Sequence, residues 1–114
     1  MARDEPVRTI TLMFRKKGMS HDDFVRYWAE VHAPLITVLP GVTSYVQRRV
    51  LPSNQDANPL EIDGFVILEW ESQEAADSAW ASAAGKAAMA DASLFTSRMI
   101  RLHYEDYVVL ANQG

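Results

Sequence analysis

The segment Phe24–Tyr45 reads FVRYWAEVHAPLITVLPGVTSY and contains a helix, a break and the start of a strand. At about 100° per residue, Phe24, Trp28 and Val31 cluster on one helical direction, with Tyr27 on one shoulder and His32 on the other. Ala33 precedes a proline and is biased out of the helical region. The regular helix is therefore expected to run from His21 to His32 and to end or kink there. Pro34 can open a further short turn before Pro40-Gly41 returns the chain to a strand. Upstream, Ser20 and Asp23 have capping-box spacing, and Asp22 and Asp23 suit a helix N-terminus.

Outward from this segment, Val7–Phe14 is β-rich, and the period of two places Ile10, Leu12 and Phe14 on one face. Val42–Leu51 reads as a second strand, and PSNQDANPLEID after it has loop chemistry. Gly64–Trp70 reads as a third strand. Ser72 then caps an alanine-rich helical segment that Gly85 is expected to interrupt. Met99–Leu110 reads as the last strand. The order β-α-β-β-α-β is that of a ferredoxin-like α+β fold, with a four-stranded antiparallel sheet and both helices on one face. Phe65, Val66, Ile67 and Leu68 are apolar in succession, so both faces of the sheet need cover. The helices supply one cover, and a second copy packed sheet to sheet would supply the other.

Composition excludes several classes. The chain has 114 residues, expected to form a single domain over 1–114, with a formal net charge of −4 and dispersed lysines and arginines. Nucleic-acid binding needs a cationic surface, which this balance does not provide. With no cysteine there are no disulfides, thiolate metal sites or cysteine nucleophiles. The N-terminal MARDEPVRT lacks the apolar stretch of a signal peptide, and no apolar run approaches the roughly 20 residues that span a bilayer. The expectation is a cytoplasmic protein without membrane contact. The three histidines lack metal-binding spacing, and neither a dinucleotide fingerprint nor a P-loop occurs. No metal and no cofactor are therefore expected.

YWAEVHAPLITVLPGVTSYV resembles the EthD-like family of dimeric α+β barrel proteins. The matching positions are Tyr27, Trp28, His32, Ala33, Pro34, Pro40, Gly41 and Tyr45, joined in the second half by Asp91 and Phe95 of ADASLF. The likeness runs from about Ile10 to Leu110. It implies a homodimer of two packed sheets, and an activity akin to ring-lactone isomerases, polyketide dehydratases or proteins of ether and aromatic degradation.

His32 admits two readings from its position: a helix-terminal histidine stabilised by the dipole, or a general acid–base. The resemblance, with Pro34 and Tyr45 in register, favours catalysis. Tyr45 is either its partner or a core tyrosine with its hydroxyl at the rim. Asp91 is the third candidate, against a role in simply capping a turn. Phe14, Trp28, Trp80 and Phe95 could wall an apolar pocket, although aromatic residues at such spacings also make ordinary core. The small residues Ala75, Ala76, Ala79, Ala83 and Ala84 let the second helix approach closely or leave room for a ligand. His103 is a reserve candidate that could instead point into the sheet–sheet interface, and His21 is expected to be solvated.

These residues, taken with the resemblance, suit a cofactor-independent enzyme moving protons on a small apolar carbonyl compound; the resemblance implies a lactone, an aromatic-pathway intermediate or a polyketide. The outcome would be isomerisation or dehydration. The alternatives are a small monooxygenase, cofactor-free or haem-dependent, and a non-catalytic dimeric ligand-binding accessory protein.

Overall fold

A computed structural model of the chain describes residues 5–51 and 58–111. The elements run β1 (Val7–Arg15), α1 (His21–Tyr27), a π-helical turn (Trp28–His32), α2 (Ala33–Thr37), β2 (Val42–Arg49), β3 (Gly64–Trp70), α3 (Gln73–Ala81), α4 (Ala83–Phe95) and β4 (Thr96–His103). The sheet order is β2-β3-β1-β4, and every pairing is antiparallel. This is the expected ferredoxin-like arrangement. Residues 52–57 of the expected polar loop lie outside the described residues. Among the described residues, no helix is long and apolar enough to cross a membrane.

The pleat sorts the strands cleanly. In β3, Gly64, Val66, Leu68 and Trp70 are buried under the helices, whereas Phe65, Ile67 and Glu69 turn the other way and stay half-exposed. In β1, Val7, Thr9, Thr11 and Met13 face the helices, while Ile10, Leu12 and Phe14 share the opposite face. Two clusters fill the space between sheet and helices. Met13, Phe24, Trp28, Val66, Ala92 and Phe95 form one; Ile36, Leu39, Leu68, Trp70 and Ala79 belong to the other. Tyr45 packs against both.

The larger departures from the sequence reading fall in the two helical segments and the last strand. The first helix does not end at His32. Pro34 has no N–H, and its ring crowds the carbonyl four residues back, so an uninterrupted α-helix is disfavoured. The chain instead widens by one π turn, in which Ala33 N–H bonds Trp28 O, and then continues helically as α2. In the second helical segment the break falls at Ser82 rather than Gly85. Ser82 is extended, and its hydroxyl caps α4 by accepting from Gly85 N at 3.1 Å. Gly85 sits in the first turn of α4 because a Cβ there would collide with Ala79 O and the Trp80 backbone. The last strand starts at Thr96, three residues early, and stops at His103, whose partner is Thr9. The final contact to β1 is Tyr104 N to Arg8 O at 3.3 Å. Beyond it β1 offers almost nothing further to pair with, so Tyr107–Leu110 lie exposed instead of forming strand.

Candidate active site

His32 closes the π turn and is nearly enclosed, only 5% exposed. Its Nδ1–H donates to Asp91 Oδ2 at 2.9 Å. A carboxylate only accepts, so in the neutral imidazole this bond places the proton on Nδ1, and Nε2 then keeps its lone pair. Asp91 comes from α4, and its other oxygen accepts the Tyr27 hydroxyl at 2.6 Å. That bond, then burial, then repulsion by the Asp91 charge push the Tyr27 phenol up to about 12. Tyr27 thus clamps Asp91 from the side opposite His32. Phe95 packs behind the imidazole with ring centroids 5.0 Å apart, and Tyr27 packs on Phe95 at 4.9 Å.

A second polar group approaches from β2. Tyr45 and Gln47 project toward the helices, as residues two apart on a strand must. The Gln47 amide donates one hydrogen to Tyr45 Oη at 3.0 Å and the other to Trp28 O at 2.9 Å. Burial raises the Tyr45 pKa, whereas the N–H groups of Gln47 and Trp28 counter this by favouring the phenolate. Trp28 Nε1 is buried and closes no hydrogen bond among the described residues, although its N–H is turned toward the Tyr45 oxygen. The Tyr45 oxygen therefore accepts from Gln47, and its own O–H finds no acceptor among the described residues.

These groups meet at a cavity of about 30 Å³ between the sheet and the helices, with Trp28, His32 and Tyr45 on its wall and Thr11, Met13 and Ile36 beside them. That volume holds a water or two. Its rim is made by Trp80, Met89, Met99 and Arg101. Met89 and Met99 are unbranched and adaptable, so this side can yield to a larger guest. A larger surface cleft, about 610 Å³, lies elsewhere and is wide and open. It runs among Phe14, Lys16, Lys17, Asp63 and Arg98, away from His32, Tyr45 and Asp91.

The sequence-derived candidates are thus distributed unevenly. His32, Tyr45, Trp28 and Trp80 line the cavity. Asp91 does not reach the wall and holds His32 from behind. Phe95 is fully buried and contributes only as the packing surface behind the imidazole, which corrects its expected place in a pocket wall. Phe14 lies outside this cavity and lines the open cleft instead. The strand period that groups it with Ile10 and Leu12 sends it to the sheet face away from the helices, under the Arg98 guanidinium. His103 faces the helix side of β4 opposite Thr9, not the outer sheet face, and it is exposed outside the cavity. His21 is not solvated. Its Nδ1 lies 2.8 Å from Asp63 Oδ1, and Arg15 donates to the same carboxylate from its backbone N at 2.8 Å and from Nη1 at 2.7 Å. This cluster, centred on the buried Asp63, ties the β3 entry to the end of β1 and the start of α1, apart from the cavity.

Sequence reasoning assigned no role to Gln47, Arg101, Met89 or Met99, and it gave Tyr27 no polar partner. Gln47 carried a signal, being two residues from Tyr45 on one strand. Arg101 and Met89 carried none, because their meeting depends on how α4 lies over β4. Among the described residues, no group of histidine and acidic side chains is arranged to hold a metal ion.

The EthD domain family model matches residues 16–98. No curated protein sequence matches the chain. Among solved structures, similar folds include an EthD family protein from Bacillus halodurans. It is 21% identical, with 90% of this chain and 99% of that one covered and a TM-score of 0.71. A dimeric ferredoxin-like protein of unknown function from Thermobifida fusca is 13% identical over 91% of this chain and 93% of that one, with a TM-score of 0.69. SnoaB, a cofactor-independent oxygenase from Streptomyces nogalater, is 12% identical over 95% and 99%, with a TM-score of 0.70. At these identities the likeness is one of fold.

Proposed function

The chain belongs to the EthD family, and we propose that it is a homodimeric enzyme that moves protons on a small, largely apolar carbonyl compound with its own side chains. The observation that carries this reading is the buried His32, whose Nδ1–H is fixed by Asp91 while the imidazole lines an apolar cavity. In this reading Nε2 removes a proton from the carbon next to the substrate carbonyl. The electron pair moves onto the carbonyl oxygen, which accepts the Tyr45 O–H as its negative charge grows. The imidazolium, held by the Asp91 carboxylate, then returns the proton. Delivery to a different carbon gives an isomer; delivery to a leaving hydroxyl gives water and an unsaturated product. Trp28 and the aliphatic wall hold the apolar part of the substrate.

The test uses cyclic enones, small lactones and aromatic ketones in D₂O, followed by ¹H NMR. The wild-type chain is expected to exchange the proton next to the carbonyl, and His32→Gln to slow this by a factor of about 10² or more. Equal exchange in both proteins would refute the assignment.

A second reading follows from the fold shared with SnoaB, which is described as a cofactor-independent oxygenase. The same deprotonated, electron-rich substrate could pass an electron to O₂ rather than be reprotonated. Oxygen consumption that requires both substrate and His32 would select this reading over isomerisation.

The homodimer is proposed from the uncovered sheet face. Ile10, Leu12, Phe65, Ile67, Ile100 and Leu102 lie together on the side away from the helices, with Leu102 half exposed. The Thermobifida fusca structure and a ferredoxin-like structure from Bacteroides fragilis are both described as dimeric. A contiguous apolar face of several hundred Å² is unusual on a soluble monomer. A second copy about a two-fold axis covers it most simply, burying on the order of 2,000 Å².

A further inference from the structure

Arg101 leaves β4 on the helix side, opposite Thr11, and lies across the mouth of the cavity. Its guanidinium carbon sits 4.7 Å from the centroid of the Trp80 ring. A separate pocket of about 130 Å³ opens on the other side of this pair, lined by Thr9, Gln73, Asp77 and His103. Trp80 and Arg101 border both spaces, so together they form the partition between the inner cavity and the outer pocket. Anything that reaches His32 through this rim passes Trp80, Met89 and Arg101, and whatever part of it trails outward meets the guanidinium.

The state of that guanidinium is informative. Arg8, Arg15 and Arg26 each pair with a carboxylate. Arg101 forms no salt bridge among the described residues, and its guanidinium lies over the Trp80 indole. Stacking uses the π face and leaves the in-plane N–H edge available. The contact that this edge makes is Nη2 to Met89 Sδ at 3.9 Å, and a thioether is a weak acceptor. The residue as a whole is exposed, yet surrounding protein lowers the guanidinium pKa by desolvation. Both facts fit a side chain lying flat over an opening, one side wet and the other dry. A planar fork of donors, pre-oriented by an aromatic ring and facing no strong acceptor, matches a carboxylate or a comparable oxyanion in bidentate geometry.

We propose that Arg101, stacked on Trp80 at the cavity mouth, is the specificity residue of the site, and that the substrate is a planar compound bearing a carboxylate or phenolate that this guanidinium binds. This rests on the reading of the cavity as the catalytic site and adds the charge class of its substrate. The outer pocket takes the anionic end, and the carbonyl end points to His32 and Tyr45.

The test is binding, not turnover, which separates it from the proton-transfer reading. Benzoate serves as the planar monoanion and benzamide as its neutral counterpart. Their affinities are measured by tryptophan fluorescence and by ¹H–¹⁵N chemical-shift titration on wild type, Arg101→Gln, Arg101→Lys and His32→Gln. Wild type is expected to prefer benzoate over benzamide at least tenfold, with shifts at Arg101 and Trp80. Arg101→Gln should lose that preference while its benzamide affinity stays within a factor of two. Arg101→Lys should keep part of the preference, because it retains the charge but not the fork. His32→Gln should keep the whole preference, whatever it does to catalysis. Equal binding of the two probes by wild type, no benzoate binding at millimolar concentration, or an unchanged preference in Arg101→Gln would each overturn the proposal.

Discussion

Asp91→Asn probes the bridge that orients the candidate base, and its consequences can be worked from the distances. The carboxylate, 12% exposed, accepts Tyr27 Oη at 2.6 Å and His32 Nδ1 at 2.9 Å. Asparagine keeps the shape but retains one accepting oxygen and gains an NH₂ donor. Tyr27 is half-buried and can turn its hydroxyl to water, whereas enclosed His32 cannot. One charge-assisted hydrogen bond is lost, a cost of about 2 kcal/mol. At roughly 2.1 cal/mol/K per residue, the unfolding entropy of a chain this long is about 0.24 kcal/mol/K, so Tm should fall by about 8 °C. The imidazole can meet the new NH₂ only by moving its proton to Nε2, which removes the lone pair from the cavity. The Tyr27 phenol supplies an independent readout. Its pKa of about 12 is raised first by the bond to Asp91, so it should drop toward the ordinary tyrosine value near 10 in the variant. A raised folded-state pKa means that the stabilisation is fully present below pH 10 and is lost as pH climbs toward 12. The Tm gap between wild type and Tyr27→Phe should therefore close over that window and be absent in the Asp91→Asn background. Thermal melts and alkaline titration of tyrosinate absorbance, with Tyr27→Phe to identify the signal, make the measurement. An unchanged Tm together with an unchanged high-pH tyrosine would refute the bridge.

Two further perturbations address the frame around the site. Ile67→Asp places a charge in the middle of the uncovered sheet face, opposite Ile10 and Val46, and should dissociate or unfold the protein. Val66→Asp would instead strike the helix-side core. Sedimentation equilibrium at micromolar concentration decides the matter, since a wild-type chain that is a stable folded monomer of 12.8 kDa would defeat the dimer. Gly64→Ala puts a Cβ 2.6 Å from Arg48 O and 2.7 Å from Trp28 Cζ3. The expected cost is about 2 kcal/mol by urea unfolding, with a shifted tryptophan emission as Trp28 is pushed from its seat; wild-type stability and emission would show that the indole is loosely held.

How far the sequence could be read depends on the range of each signal. Strand identity came from a period of two, which is local, so Gly64–Trp70 was read with its observed bounds. The fold followed from element order and from apolar residues on both faces of the sheet. The end of β4 was beyond such reading, because Tyr104–Leu110 alternates much like a strand and stops being one for want of a neighbour past the start of β1. At the site, the resemblance singled out His32 and Tyr45, and both line the same cavity. The true partner of Tyr27 was not legible, because Asp91 lies far along the chain and arrives only when α4 packs on the π turn. Phe14 could not be assigned to one side of the sheet, because aromatic character marks burial without telling which face is buried. Arg101 carried no mark at all; an arginine on an edge strand reads as solvated until the indole beneath it is seen.

Pro34 links these levels. An α-helical turn in its place would require an N–H that proline lacks and would crowd its ring against the carbonyl of Glu30. The π turn avoids both by shifting the hydrogen bond to Ala33 N and Trp28 O. In the wider turn, Trp28 O also takes the Gln47 amide, whose second hydrogen goes to Tyr45 Oη. One proline, by forbidding a regular helix, therefore connects the backbone of the turn to the phenol on β2, and Trp28 and His32, the two ends of that turn, both reach the cavity wall. Among the described residues the indole N–H is left without a formed bond, close enough to the same phenol to favour its charged form. A buried unpaired donor carries a desolvation cost of about 1–3 kcal/mol. A core that only had to be stable would gain by replacing that indole with a ring lacking the N–H. A site in which the Tyr45 oxygen must accept negative charge from a substrate gains from keeping it, because the same N–H that costs stability in the empty protein stabilises the charged form.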